Sequence, residues 1–332
     1  MKHKLIWAGV WLLLAGAAVG LQACSALGVA LAPAKKATAP TPDAQAVASD
    51  FWAALHGGEY ARIDALLERH MQQVVAQPGD ALTLFHTGLL HAWKLSERSR
   101  EPRNARVVEH AMAARRLFAE AAQLDPADAR IAGFAAGFVM TEAAILGNEK
   151  QLRQGYFQMQ DAVASWPEFN LFTSGYVMSA NPPHSAPFTE GLEQQWRTLD
   201  ECFGVKVSRQ SADLRPYLSQ ETQTGRKRVC WNSWIAPHNW EGFFLNFGDM
   251  LARSGDLANA RVMYQATSLS RTYKQWPYRG VAERRLANIG TLTDALNKAP
   301  DNEPENVTMH SSAFACMACH QASGPPSVGS SR

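Results

Sequence analysis

Cysteine is scarce in this sequence, and so is net charge. Five Cys among 332 residues are too few for a disulfide-rich scaffold, while 46% hydrophobic residues can bury a sizeable core without one. Charged residues make up 19% of the chain and the formal net charge is +2. This near neutrality gives no electrostatic basis for binding nucleic acid or a membrane surface through a polybasic patch.

The sequence also lacks the motifs of several enzyme classes. It contains no exported-hydrolase nucleophile motif, no convincing pair of carboxylates and no Gly-rich phosphate loop. Strand-like alternation of Val, Ile and Thr is scarce as well, whereas apolar residues recur at three- and four-residue spacings over about residues 46–296. We therefore expect an all-α fold and a non-enzymatic role.

The first residues have the pattern of an export signal. A basic start at residues 1–4 precedes an apolar run at residues 5–19, as in secretory signals. The following Leu21-Gln22-Ala23-Cys24 resembles the bacterial lipoprotein signal, in which the cysteine is lipidated. The resemblance implies lipidation of Cys24, and the adjoining Ser25 implies an outer-membrane destination on the periplasmic side. An uncleaved anchor and ordinary cleavage after the apolar run are the alternatives.

A five-residue motif, Cys316-Met317-Ala318-Cys319-His320, lies near the other end of the sequence. Two thiols separated by two residues can add to the two vinyl groups of a porphyrin, and the following His then lies beneath the iron as an axial ligand. The motif predicts one covalent haem c held by Cys316, Cys319 and His320. A reducible disulfide and a zinc site are the alternatives.

The position of this motif differs from that in small cytochromes c, where it stands near the start of the domain. The residues after His320 include neither Met nor His, so a sixth iron ligand would come from upstream. His238 is the first choice because it lies in an aromatic-rich loop beside Pro237. An iron without a second protein ligand would favour sensing or peroxidation. Other candidates for the sixth ligand are His184, Met178, Met309 and His310.

Cys202 and Cys230 are the two cysteines that remain. In an oxidising compartment we expect them to form a disulfide that closes a loop of about thirty residues, worth roughly 3 kcal/mol in the chain-entropy model. Two separate buried thiols are the alternative.

The helical region contains recurring residue spacings. The segment 248–264 resembles a tetratricopeptide repeat: Gly248 allows two helices to approach, Gly255-Asp256 makes the turn, and Ala260 and Tyr264 pack back on the first helix. The resemblance implies a tetratricopeptide-like α-solenoid of helix pairs, with a concave face for partners. An irregular helical bundle is the alternative. The order small, large, small, proline also recurs in Ala114, Phe118, Ala121 and Pro126, and in Gly155, Met159, Ala162 and Pro167.

These patterns divide the chain into a signal (1–24), a flexible Ala/Pro/Thr-rich linker (25–45), a helical-repeat domain (46–298) and a linker with a haem-bearing arm (299–332). An irregular insertion is expected at about residues 181–240. Its last part runs into the segment 230–244, which carries three Trp and His238. That segment is interpreted either as a wall of the haem pocket or as a plug of core rings.

The patterns together predict a periplasmic, membrane-tethered monohaem protein that exchanges electrons with a redox partner protein. Two alternatives follow from the open interpretations of the Cys pair and of the iron. One is a helical-repeat scaffold lipoprotein whose Cys pair binds metal or senses redox state. The other is a haem-based sensor or peroxidase-like protein.

Overall fold

A computed structural model of the chain describes residues 35–57, 59–95, 106–233, 240–276 and 278–298. These ranges form α-helices and short 3₁₀ turns, with no strand among them, and the predicted all-α class is confirmed. Cys24, His238, Met309, His310 and the 316–320 motif lie outside the described residues.

The α-helices follow one another with short connections. In chain order they are α1 (Pro42–Gly57), α2 (Ile63–Ala76), α3 (Ala81–Leu95), α4 (Arg106–Leu124), α5 (Ala129–Leu146), α6 (Glu149–Ser165), α7 (Pro167–Ser179), α8 (Ala186–Phe203), α9 (Trp240–Arg253), α10 (Leu257–Thr267), α11 (Arg279–Ala287) and α12 (Leu292–Asn297).

Local sequence explains many of these boundaries. A side-chain oxygen before the first turn accepts a backbone N–H that the helix leaves unpaired. Pro167 stands at the start of α7, where its missing N–H costs nothing. Gly147 and Gly204 follow α5 and α8 with φ of 66° and 69°, a left-handed conformation that glycine adopts without strain. The side chains that cap helices in this way are Asp128, Asn148, Ser185 and Asp256.

The helical domain differs from the sequence expectation at three places. Its first helix begins already at Pro42 rather than at residue 46. Helix α8 packs on α7 as a regular partner, so the irregular part of the insertion begins only at Gly204. The sequence pattern over residues 278–296 predicts a single helix, whereas the structure divides this stretch between α11, a 3₁₀ turn (Ile289–Thr291) and α12. Asn288 and Gly290, both weak helix formers, occupy the break.

Packing follows the order of the chain. Each helix from α1 to α10 contacts its successor, with α8 and α9 joined across the irregular segment, and contacts beyond neighbours include α1 with α3, α5 with α7 and α9 with α12. Contacts between chain neighbours of this kind occur both in stacked helix pairs and in an irregular helical bundle. Two large apolar clusters result. The N-terminal core lies within residues 51–138 and the C-terminal core within residues 172–296, while a small cluster around Met159 lies between them in the sequence.

Glycines facing large rings set the closest helix approaches. A Cβ on Gly248 would lie 2.5 Å from Cε1 of Tyr264, and one on Gly88 would lie 2.6 Å from Cε1 of Phe118. Tyr264 and Phe118 are both fully buried. The same small-against-large arrangement therefore joins α9 to α10 and α3 to α4, because only glycine leaves room for the ring.

Among the described helices, α5 is long and apolar enough to cross a bilayer. It packs against α4, α6 and α7. A helix at the centre of a folded body has the same composition, so length and hydropathy alone assign α5 no membrane role.

Candidate functional site: an aromatic cleft beside the disulfide

A cleft opens where the first turn of α7, the last turns of α8 and the first turn of α9 meet. It contains about 460 Å³ of space between atoms, including the part open to solvent. Two polar side chains, Glu168 and Thr198, interrupt an otherwise apolar wall. The residues that line it are Glu168, Phe169, Phe172, Thr198, Leu199, Cys202, Phe203, Val229, Cys230, Trp240, Phe243 and Phe244.

Stacked rings support one wall of the cleft. Trp231 and Trp240 lie parallel, with 5.0 Å between ring centroids and 12° between planes, and both are buried. The indole N–H of Trp240 donates to the carbonyl of Ala266 at 2.8 Å, so its polar end is satisfied inside the core. Segment 230–244 had two interpretations. Trp231 is a ring of the core, as one of them expects. Trp240 belongs to the core and also lines the cleft. Trp234 lies outside the described residues.

Cys202 and Cys230 form a disulfide, with 2.04 Å between the sulfurs. It joins the end of α8 to the 3₁₀ turn Arg226–Cys230, and both cysteines line the cleft. The crosslink fixes the irregular segment against the helix pair at this point. By loop length it contributes roughly 3 kcal/mol through the unfolded chain.

Charged groups gather at the edge of the cleft. The guanidinium groups of Arg226 and Arg228 lie 5.4 and 5.8 Å from the ring centroid of Trp166, within the range of cation–π attraction. Arg226 also donates to the carbonyl of Ser165. Its Nη2 lies 4.0 Å from Oε2 of Glu168, a buried oxygen with no hydrogen-bond partner in the described part of the chain. Two cations therefore lie beside Trp166, and the charge of Arg226 is offset by the carboxylate of Glu168.

A buried polar network ties together the two flanks of residues 234–239. Asn232 accepts a hydrogen bond from the backbone N–H of Trp240, and its amide donates to Oε2 of Glu241 at 3.2 Å. Glu241 is fully buried, and its Oε1 accepts from the hydroxyls of Ser270 and Thr272. Because a buried carboxylate without these donors would be costly, the network holds the start of α9 in one position.

The structure does not bring the described sixth-ligand candidates to the cleft. Met178 and His184 lie at the end of α7 and in the turn before α8, whereas the cleft lies at the opposite ends of those two helices. Helix α7 has 13 residues and therefore spans about 20 Å. Met178 also packs against α8, since a Cβ added to Gly191 would lie 2.8 Å from the Cβ of Met178.

A buried ionic group between α9, α10 and α11 was missed by sequence reasoning. Asp249 accepts hydrogen bonds from the hydroxyl of Tyr264 at 2.7 Å and from Nε of Arg285 at 3.1 Å. Burial and the neighbouring carboxylate raise the pKa of Tyr264 well above its usual value, so it stays a donor. The sequence did contain one indication of this group. Asp249 is a charged residue at an otherwise apolar helix position within the repeat-like segment.

Two buried histidines were also missed. The Nδ1–H group of His70 donates to the carbonyl of Leu66 at 2.8 Å, and the ring of His86 stacks on Phe51 at 5.3 Å. Burial lowers the pKa of His86 to about 3 and also lowers that of His70. Both are therefore neutral core rings at pH 7.

The cleft therefore combines mainly apolar walls with the side chains of Glu168 and Thr198. Among the described residues, no group of three or more His, Cys, Asp or Glu side chains is placed to hold a metal ion. Comparison with known proteins adds no assignment, because no family model, no curated protein and no solved structure matches this chain.

Proposed function

We propose that this chain is a membrane-tethered periplasmic c-type monohaem protein that transfers electrons to or from a partner protein. The observation that carries the proposal is the motif Cys316-Met317-Ala318-Cys319-His320. Two thiols at this spacing followed by an imidazole match the covalent and axial bonds of one haem.

The donor chemistry of this motif fits a haem, and the mainly apolar cleft is proposed to cover part of one haem face. When bound, the haem would supply a one-electron iron couple. The lining of the cleft includes Phe, Leu, Val and Trp side chains but neither His nor Met. Its residues would exclude water from an apolar face and would not ligate iron. His238 is retained as the proposed sixth ligand; the flanks of its loop are fixed by Asn232 and Glu241.

Export and tethering follow from the N-terminal pattern. The apolar run and Leu21-Gln22-Ala23-Cys24 support lipidation at Cys24. The disulfide between Cys202 and Cys230 supports the same compartment, because disulfides persist where thiols are oxidised.

The helical body is proposed to act as a tetratricopeptide-like docking scaffold. Neighbouring helices pack in pairs, and Gly248 meets Tyr264 as such a repeat requires. Stacked pairs present extended surfaces to partners, so the redox partner is proposed to dock on this body.

Covalent haem can be detected directly. The full chain is expressed together with cytochrome c maturation factors, and a denaturing gel is stained for haem peroxidase activity. We expect a stained band for the wild-type chain and its loss in the double variant Cys316→Ala, Cys319→Ala, since neither thioether bond can then form. Cys202→Ala is the matched cysteine control and keeps its stain, because its sulfur belongs to the disulfide.

An unstained wild-type band would overturn the haem assignment. Metal analysis of the same protein then separates the remaining functions: zinc without iron supports the scaffold lipoprotein with a metal-binding Cys pair. If haem is present, the optical spectrum distinguishes electron transfer from sensing or peroxidation. A low-spin iron that does not respond to CO supports electron transfer, and a high-spin iron that binds CO contradicts it.

A further inference from the structure

The chain enters the helical body beside the turn that joins α2 to α3. The backbone N–H of Thr38 donates to the carbonyl of Gly79 in that turn at 2.9 Å, and α1 begins shortly afterwards at Pro42. This bond holds the start of the body at one end of the α2–α3 pair. The segment that leads back to Cys24 therefore leaves the body at that end.

Exposed apolar side chains lie at the same end. Met71 and Val75 are 41% and 78% exposed, and because they stand one helical turn apart on α2 they share one of its faces. Leu82, in the first turn of α3, is 37% exposed. A short turn joins α2 to α3, so the last turns of α2, the first turn of α3 and Thr38 all belong to one end of this helix pair.

The two segments that form this end carry no exposed charge. Segments 37–42 and 71–82 contain one charged residue, Asp80, whereas at the 19% average of the chain they would contain about three. Asp80 is 1% exposed, and its carboxylate accepts from the N–H of Leu82 at 3.0 Å and from the hydroxyl of Thr83 at 2.6 Å. The charged residues that border the two segments most closely in the sequence are Lys36, Asp43 and Arg69. The exposed surface of the segments themselves is therefore uncharged.

The length of the tether keeps this end within reach of a membrane. The chain advances 13 residues (37 − 24) from Cys24 to Ala37. A flexible segment of that length spans about 20 Å as a coil and at most about 45 Å when extended. A few apolar side chains bind a bilayer only weakly by themselves, but a tether raises the effective concentration of the surface to the millimolar range.

We propose that Met71, Val75 and Leu82 form the surface by which the helical body rests on a phospholipid bilayer. The three side chains enter the interface between headgroups and acyl chains, where their apolar surface is removed from water. The uncharged segments around them allow this contact, because no ion has to give up its hydration. This orientation rests on the membrane anchor of the proposed function and adds to it the face that the body turns towards the lipid.

Photocrosslinking of the full chain in vesicles of phosphatidylethanolamine and phosphatidylglycerol tests this surface. A benzophenone amino acid replaces Val75 in one protein and Phe157 in another. Phe157 is the matched control because it is 65% exposed but lies one turn from the exposed charges of Arg153 and Asp161 on α6. After irradiation, we expect mass spectrometry to find at least about fivefold more phospholipid adduct at position 75, since only that position contacts lipid. Equal yields at both positions, or a crosslinked protein dimer in place of the lipid adduct at position 75, would overturn the surface.

A charge placed on the surface tests its apolar character. With the benzophenone at position 82, Val75→Asp should lower the yield of phospholipid adduct by about threefold or more, because the carboxylate has to lose water on contact. Phe157→Asp is the control and should leave the yield unchanged. Val75 is largely exposed, so the variant keeps its fold, which circular dichroism checks. An unchanged yield in Val75→Asp contradicts the proposal.

Vesicle flotation separates the contact surface from the anchor. A chain that floats with the vesicles but forms no lipid adduct at position 75 contradicts the surface and leaves the anchor standing. A chain that does not float overturns both. Haem staining does not depend on Met71, Val75 or Leu82, so the haem assignment is tested independently.

Discussion

The N-terminal and C-terminal cores bury polar groups of different kinds. The N-terminal core surrounds neutral rings, with His70 and His86 packed around Phe51, and its buried carboxylate Asp80 accepts only from neutral donors at the start of α3. The C-terminal core encloses formal charges, with Asp249 between Tyr264 and Arg285. It also contains the disulfide and the tryptophan stack.

This difference has consequences for how each core is specified. A neutral ring in an apolar site tolerates several packings, whereas a buried carboxylate requires its donors in place. Arg253 shows that a charged donor in the C-terminal core also has fixed partners. It donates to Ser179 and Asn181 at the end of α7 and to Asn297 in α12, and so fixes three elements at once. The C-terminal core is therefore held to one arrangement by directional bonds, and the N-terminal core mainly by shape.

The largest expected effect comes from removing the buried carboxylate. Asp249→Ala leaves the Arg285 guanidinium buried without its partner, and we expect a loss of about 3–5 kcal/mol in the free energy of unfolding. Urea denaturation measures it. Asp64→Ala is the control in the other half, since Asp64 is 78% exposed in its pair with Lys94 and should cost less than about 1 kcal/mol. Similar losses in both variants would show that the charge is not what distinguishes the C-terminal core.

A smaller effect should be common to both halves. Gly88→Ala and Gly248→Ala place a methyl group against the rings of Phe118 and Tyr264, and each should destabilise by about 1–3 kcal/mol through overpacking.

Gly137→Ala on α5 is the matched control for these two changes. The nearest atom to its Cβ is the Met159 methyl carbon at 3.7 Å, an ordinary contact, so the gain in helix propensity should stabilise by about 0.5–1 kcal/mol. If all three variants gain stability, the glycines are not needed for close approach in either half.

The effect that is smallest at neutral pH is the acid sensitivity of the N-terminal core. Burial lowers the pKa of His86 in the folded chain to about 3, against 6.5 for an unperturbed imidazole, so the unfolded chain binds the extra proton between these values. Stability conferred by the neutral ring is complete above about pH 6.5 and falls as pH decreases towards 3, by up to about 1.4 kcal/mol per pH unit.

Thermal unfolding between pH 7 and pH 5 measures this dependence. His86→Phe preserves the ring stacking on Phe51 and should flatten the dependence, whereas His184→Gln should not change it. An unchanged slope in His86→Phe would place the acid sensitivity elsewhere, for example among the carboxylates of the C-terminal core.

Much of the fold followed from local sequence. The spacing of apolar residues predicted helices, and Gly255-Asp256 predicted the turn between α9 and α10, where Gly255 has a φ of 88° and Asp256 caps the next helix. The division of the last helix at Gly290 was missed, because periodicity continues across a single weak position.

The candidate site was only partly foreseeable. One wall of the cleft could be anticipated from segment 230–244 and from the pair Cys202 and Cys230, because tryptophan and cysteine are rare residues in proteins. The opposite wall, with Phe169 and Leu199, consists of ordinary helix residues whose sequence carries no mark of a cleft.

The sequence by itself determined the helices, their turns and the motif at 316–320, because these depend on residues within a few positions of one another. Only the tertiary structure decided that His91 faces His110, that Tyr264 and Arg285 meet at Asp249, and that the ends of α7, α8 and α9 enclose a cleft. These pairings depend on how whole helices cross. The crossing is set by the sum of many weak apolar contacts and close glycine approaches, which no short stretch of sequence contains.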